Sequence, residues 1–149
     1  MSVVAWDGKN LAADKLMCGN DCTRTTTKIF RVKDAVIAFT GDIACGLILL
    51  DWYKDGCKKE DYPAFQTDKE DWTRMIIADK KGCRFYEKYP IAIEVEDPYS
   101  AWGSGRDFAM GALAMGATAG EAVKVASMFC LSCGGGTDNH PVHEENSGR

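Results

Sequence analysis

Residues 2–14, Ser-Val-Val-Ala-Trp-Asp-Gly-Lys-Asn-Leu-Ala-Ala-Asp, place two short apolar runs on either side of Asp7-Gly8. Val3 to Trp6 is β-prone, and Asp7-Gly8 is a strong hairpin-turn signal. Leu11 to Ala13 then returns as the partner strand, which Asp14 ends. The chain therefore builds on a sheet from its first residues, and the segments that follow extend the plan.

Beyond a polar loop containing Gly19, Asn20 and Asp21, Thr27 to Val32 and Ala35 to Phe39 flank a turn at Lys33-Asp34. The later strand of this second hairpin is nearly all apolar, which predicts burial on both faces. After Gly41 the period becomes helical. Ile43, Leu47, Leu50 and Lys54 recur at helical spacing, with Asp42 placed to cap the start and Gly56 to end it. Cys57 to Gln66 is polar, contains a proline, and reads as a loop or short helix. Thr73 to Ala78 and Arg84 to Tyr86 flank a third hairpin turn, and Ile91 to Val95 alternates as another strand. Ser104 followed by Asp107 predicts a capped helix with Phe108, Ala109, Ala112 and Leu113 inward. Thr118-x-x-Glu121 is a capping box for a second helix burying Ala122, Val125, Ala126 and Phe129. Gly134 to Gly136 stops that helix, and Val142 is assigned to a last short strand. The order predicts an α+β domain over residues 1–142, a sheet sandwich covered by helices, with 143–149 as a mobile tail.

Composition narrows the function. The 149 residues are 46% apolar and 27% charged, which suits one globular domain. A net charge of -4 lacks the basic footprint of a nucleic-acid binder. The longest strongly apolar stretch, Ile43 to Leu50, is too short to span a membrane, and no secretory signal opens the chain. Seven cysteines, an odd number, then predict reduced thiols in the cytoplasm. Cys130 and Cys133, with His140 and His143, have the composition of a zinc site. The interval between the pairs is short for one and centred on glycines, so small buried thiols are the preferred reading, with no metal and no cofactor.

The chemistry is reached by elimination. Both histidines, His140 and His143, lie near the C-terminus, which leaves a Ser-His-Asp or Cys-His arrangement without a placed base. No G-x-S-x-G elbow occurs, and Gly134 to Gly136 lacks the Lys-Ser/Thr pair of a phosphate loop. What remains is a nucleophile whose base is its own α-amine, here Ser2 once Met1 is removed. Such chemistry needs a cation near the hydroxyl and amide donors for an oxyanion. Lys28 and Gly41 lie on or just after strands expected beside the first. Structural alternatives stand next to these roles: a strand-end ion pair for Asp14 and Lys28, a turn for Gly41, a helix cap for Ser104.

Several segments occur in a telling order: Val3 to Asp14, Thr27-Lys28-Ile29, Ala38-Phe39-Thr40-Gly41-Asp42, Ala101-Trp102-Gly103-Ser104-Gly105, an alanine-rich helix pair, and Cys133 to Gly136. In these the sequence resembles the proteasome β-subunit family, especially bacterial peptidase subunits of the HslV type and their phage-borne relatives. The resemblance implies a four-layer α-β-β-α sandwich of the N-terminal nucleophile hydrolase type, assembled into rings around a proteolytic chamber and fed by an ATP-driven unfoldase. It implies Ser2 as nucleophile, Asp14 and Lys28 as the buried supporting pair, the Gly41 amide at the oxyanion, and Ser104 beside the α-amine. Two functions follow from it. One is an HslV-like peptidase subunit, its partners further copies of itself, an unfoldase and a peptide substrate. The other is a catalytically inactive protein of the same fold, in line with the phage-borne relatives, that captures a host protein or small ligand.

Overall fold

The computed structural model describes residues 2–19, 21–68 and 72–143. Met1, whose removal the nucleophile reading requires, lies outside the described residues, as do Asn20 of the expected loop and all of the expected tail except His143. The elements in order are β1 (Val3–Trp6), β2 (Asn10–Asp14), β3 (Leu16–Gly19), β4 (Cys22–Thr25), β5 (Ile29–Val32), β6 (Ala35–Thr40), α1 (Ile43–Lys54), α2 (Ala64–Asp68), β7 (Arg74–Asp79), β8 (Gly82–Tyr86), β9 (Ile93–Glu94), β10 (Ser100–Gly103), α3 (Arg106–Ala114), α4 (Ala119–Phe129) and β11 (Thr137–Pro141).

One antiparallel sheet has the order β10-β1-β2-β11 and a second the order β5-β6-β7-β8-β9. They face each other, with α3 and α4 over the first and α1 over the second. The two-residue period of the strands partitions their side chains among three apolar layers. From β1, Val4 and Trp6 enter the core between the sheets, while Val3 and Ala5 turn toward α3 and α4. From β6, Val36 and Ala38 join the inter-sheet core, and Ala35 and Ile37 pack under α1. Every residue of β1 and β6 is therefore buried, as the apolar run of β6 predicts. The fold is the expected α-β-β-α sandwich.

The first hairpin is closed by a wider turn than a two-residue Asp-Gly loop. Trp6 pairs with Leu11, and the Asp7 carboxylate accepts from the Lys9 and Asn10 N–H groups at 2.8 and 2.7 Å. Its other oxygen accepts from the Ala119 N–H at 2.8 Å, tying the hairpin to the start of α4. The α4 capping box forms, with Thr118 Oγ1 accepting from the Glu121 N–H and Glu121 accepting in return from the Thr118 N–H. Asp42 caps α1 through the Cys45 N–H at 2.9 Å, and Gly56, at φ +106°, ends it.

Several expectations are revised; Val142 lies just past β11, and α4 buries Val123 in place of Val125. The polar stretch after Asp14 is a hairpin, β3–β4, and not a loop. In α1 the inward face is Gly46, Leu49, Leu50 and Trp52, while Leu47 is exposed. Gly46 decides this rotation: a side chain there would begin 2.3 Å from the Phe39 ring, so the helix lies directly on β6 at that point. Helix α3 is capped by Gly105 without a side-chain bond, so Ser104 is not its cap. Phe108 and Phe129 face outward and stack on each other at 5.7 Å, in place of joining the core beneath.

Candidate active site

The start of β1 and the end of β2 lie side by side because the two strands are antiparallel, with Val4 opposite Ala13. This register brings the Val3 N–H to Asp14 Oδ1 at 3.1 Å. Lys28 precedes β5 in the second sheet, and the stacking of the sheets carries its side chain across the gap. Lys28 Nζ donates to Asp14 Oδ1 at 2.9 Å and to Ser2 Oγ at 3.1 Å. Ser2, Asp14 and Lys28 are 0%, 0% and 1% exposed. Three residues distant in sequence thus form one buried polar cluster.

A buried ion pair is sustained only when its remaining hydrogen-bonding capacity is met. Asp14 Oδ2 accepts from the Leu16 N–H at 3.3 Å and the Gly134 N–H at 3.1 Å. The carboxylate therefore receives four donors across its two oxygens, close to the full set its lone pairs can take. The glycine run has a role here beyond stopping α4. The Gly134 carbonyl also accepts from the Lys15 N–H at 2.9 Å, which fixes the segment against the end of β2.

Ser2 is fixed from its other side by the turn after β10. The Gly105 N–H donates to the Ser2 carbonyl at 3.2 Å. Gly103 lies so close that a Cβ there would sit 2.2 Å from the same carbonyl oxygen, and its φ of +97° favours glycine independently. Above this point opens a cleft of about 680 Å³, whose walls include Thr40, Gly41, Gly103 and Ser104 on the Ser2 side. Gly41, just after β6, has a φ of +107° and lines the cleft. Ser2, Asp14 and Lys28 are in direct contact, and Gly41 and Ser104 lie on the cleft wall.

The sequence reading missed other contributors. Gly105 holds the Ser2 carbonyl and Gly103 leaves room for it, Gly134 and Leu16 hold Asp14, and Trp72 and Arg74 line the cleft. Gly103-Ser104-Gly105 carried a usable signal, since paired glycines mark close backbone approach. Cys133 is buried against Gly105. Burial first, then its hydrogen bond with Cys130 and the negative charge of Asp14, push its thiol up to about 12, so it stays protonated beside the cluster. His140 pairs with Leu11 at the opposite end of β2 from Asp14. Among the described residues no group of three or more His, Cys, Asp or Glu side chains could hold a metal ion. None of their helices is long and apolar enough to cross a membrane.

No family model and no curated protein matches the sequence. Solved structures do resemble it. Thiobacillus denitrificans BPH in complex with epoxomicin matches with a TM-score of 0.73 and 24% identity over 95% of this chain and 97% of that one. Eukaryotic HslV from Trypanosoma brucei matches with a TM-score of 0.69 and 18% identity over 94% and 97%. The chain has the proteasome-type fold of N-terminal nucleophile hydrolases. A Gly-1 mutant of Anbu from Hyphomicrobium sp. strain MC1 adds a third likeness, with a TM-score of 0.70 and 14% identity over 95% of this chain and 81% of that one. At such identities the proteasome-type fold is established by the whole architecture, whereas chemistry has to be argued from the side chains.

Proposed function

We propose that the chain is an HslV/proteasome-like peptidase subunit in which Ser2, freed by removal of Met1, is the nucleophile. The observation that carries this reading is the Lys28 Nζ contact to Ser2 Oγ at 3.1 Å, made by a lysine that is itself paired with buried Asp14. A cation at that distance favours the deprotonated hydroxyl, and the bond to Asp14 orients the lysine toward it. The α-amine of Ser2 takes the hydroxyl proton as Oγ attacks the carbonyl carbon of a peptide bound in the cleft. The Gly41 N–H donates to the oxyanion, and Ser104 supports the amine. Collapse of the tetrahedral intermediate breaks the C–N bond, with the amine's proton leaving on the new peptide N-terminus. A water activated by the same amine then hydrolyses the Ser2 ester and restores the enzyme.

The same reading has copies of the chain assembling into a ring-shaped chamber, supplied with unfolded chains by an ATP-driven unfoldase. Its first test is the intact mass of the purified protein, followed by an epoxyketone such as epoxomicin, whose ring closure requires both a nucleophilic hydroxyl and a free α-amine. A mass short by one methionine residue and a single adduct, lost in Ser2→Ala, are expected, together with peptide cleavage lost in the same variant. A mass that retains Met1 would leave the amine acylated and would sink the peptidase reading. The chain would then be a non-cleaving binding protein of this fold.

A further inference from the structure

Trp72 and Arg74 belong to the wall of the cleft that lies beyond Gly41. The Trp72 indole N–H is buried and has no acceptor among the described residues. Buried donors are almost always satisfied, and an orphan at the wall of a cleft points to an acceptor that arrives with a ligand. Over the same indole stands the Arg74 guanidinium, its Cζ 5.5 Å from the ring centroid. Its ion pair with Glu87 spans 3.6 Å, longer than a hydrogen bond, so the guanidinium keeps bonding capacity. Arg106 adds a second cation to the cleft lining. The acid of that lining, Asp42, already has its carboxylate engaged at the N-terminus of α1 by the Cys45 N–H. The lining therefore presents a surplus of donors and positive charge, with Leu16 and Met17 supplying apolar surface.

We infer that this cleft selects a peptide residue with a carboxylate side chain, glutamate above all, bound by the Trp72 N–H and the Arg74 guanidinium. This rests on the reading of Ser2 as a nucleophile that works in the same cleft. A planar carboxylate matches the arginine fork and can accept from the indole as well. An amide or ammonium in its place leaves those donors unpaired, which is how a polar subsite rejects the wrong residue. The methylenes of glutamate pack on Leu16 and Met17.

The test is calorimetric titration of the full chain with acetylated tetrapeptides ending in Glu-amide, Gln-amide, Lys-amide or Leu with a free carboxylate. The Glu-amide peptide is expected to bind about tenfold more tightly than the Gln and Lys peptides, as suits a charge-assisted contact in a partly open site. Arg74→Gln should abolish that preference, and Trp72→Phe should reduce it, with thermal unfolding checking that both variants fold. Equal affinity for Glu and Gln, no measurable binding, or a preference that survives Arg74→Gln overturns the inference. Tighter binding of the Leu free acid overturns it too, because the carboxylate recognised would then be a chain terminus. Cleavage of longer peptides containing the same residues separates the two readings. Glu-selective binding without cleavage removes the nucleophile reading and leaves the subsite standing, whereas cleavage without Glu preference removes the subsite alone.

Discussion

Asp14→Ala is expected to destabilise the protein far more than Lys28→Met, although the two changes break the same ion pair. Alanine at position 14 leaves the Lys28 ammonium, 1% exposed, without its counter-charge. Removing one partner of a buried pair costs about 3–5 kcal/mol. The change also strips the acceptor from the buried Val3 N–H, which adds about 1–3 kcal/mol, and from the part-buried N–H groups of Leu16 and Gly134, which add less because water can reach them. Even with partial rescue by water, the sum is about 5 kcal/mol or more, within reach of the whole stability of an ordinary domain. Methionine at position 28 instead leaves the carboxylate with its three backbone donors, a set able to hold an anion by itself. Its cost is then that of the two bonds Lys28 donates, to Asp14 Oδ1 and Ser2 Oγ, about 3 kcal/mol in sum. Urea unfolding at a fixed protein concentration measures both values, with concentration held constant because self-association would add to apparent stability. An Asp14→Ala variant no less stable than Lys28→Met would refute the donor accounting at this site.

Gly103→Ala should cost upward of about 2 kcal/mol, because its Cβ would meet the Ser2 carbonyl oxygen at 2.2 Å in a φ region that disfavours a side chain; urea unfolding reads the loss, and a neutral result would mean that Ser2 is not anchored against β10. Asp7 makes a pH prediction: burial pushes its carboxyl up, yet bonds from the N–H groups of Ala119, Asn10 and Lys9 outweigh that and lower it below 3.8. Its contribution is therefore present above 3.8 and lost as pH falls through the lower folded value, so Asp7→Asn should flatten that part of the acid-unfolding curve, and an unchanged slope would count against the bonds to Ala119 and the turn.

The parts of this fold legible in the sequence are those where local chemistry and tertiary packing agree. Val3 to Trp6 and Ala35 to Phe39 read as strands and are strands, since apolar β-prone residues suit the sandwich that buries them on both faces. The Thr118 and Glu121 capping box is written within four residues. Where the outcome depends on a distant partner, pattern fails. The strand β4 is exposed along its length, so it carries no apolar alternation, and only its pairing with β3 defines it. Helix α1 has apolar residues on more than one face, and the inward face is chosen by the contact of Gly46 with Phe39. Gln66 is fully buried in a stretch read as polar, because the Thr73 and Glu87 carbonyls, supplied by other segments, accept from its amide.

The same distinction runs through the site. Ser2, Asp14 and Lys28 were placed together by resemblance, while the structural alternative for Asp14 and Lys28 was an ordinary strand-end ion pair. Both readings rest on the same contacts. The pair is structural, since Asp14 gathers the end of β2, the start of β1 and the glycine run onto one carboxylate. It also places a cation on the Ser2 hydroxyl, because the lysine that satisfies Asp14 comes from the facing sheet and passes Ser2 on the way. A group held by two sheets cannot be formed before the sheets dock, so the Lys28 contact to the Ser2 hydroxyl is a consequence of the completed core and not of any local motif. Loss of activity on mutating Asp14 or Lys28 would therefore be ambiguous without a stability measurement. Ser2→Ala keeps the Lys28–Asp14 pair and the Gly105 N–H bond to the residue-2 carbonyl and removes one acceptor from Lys28, so it disturbs the fold least of the three and best separates chemistry from folding.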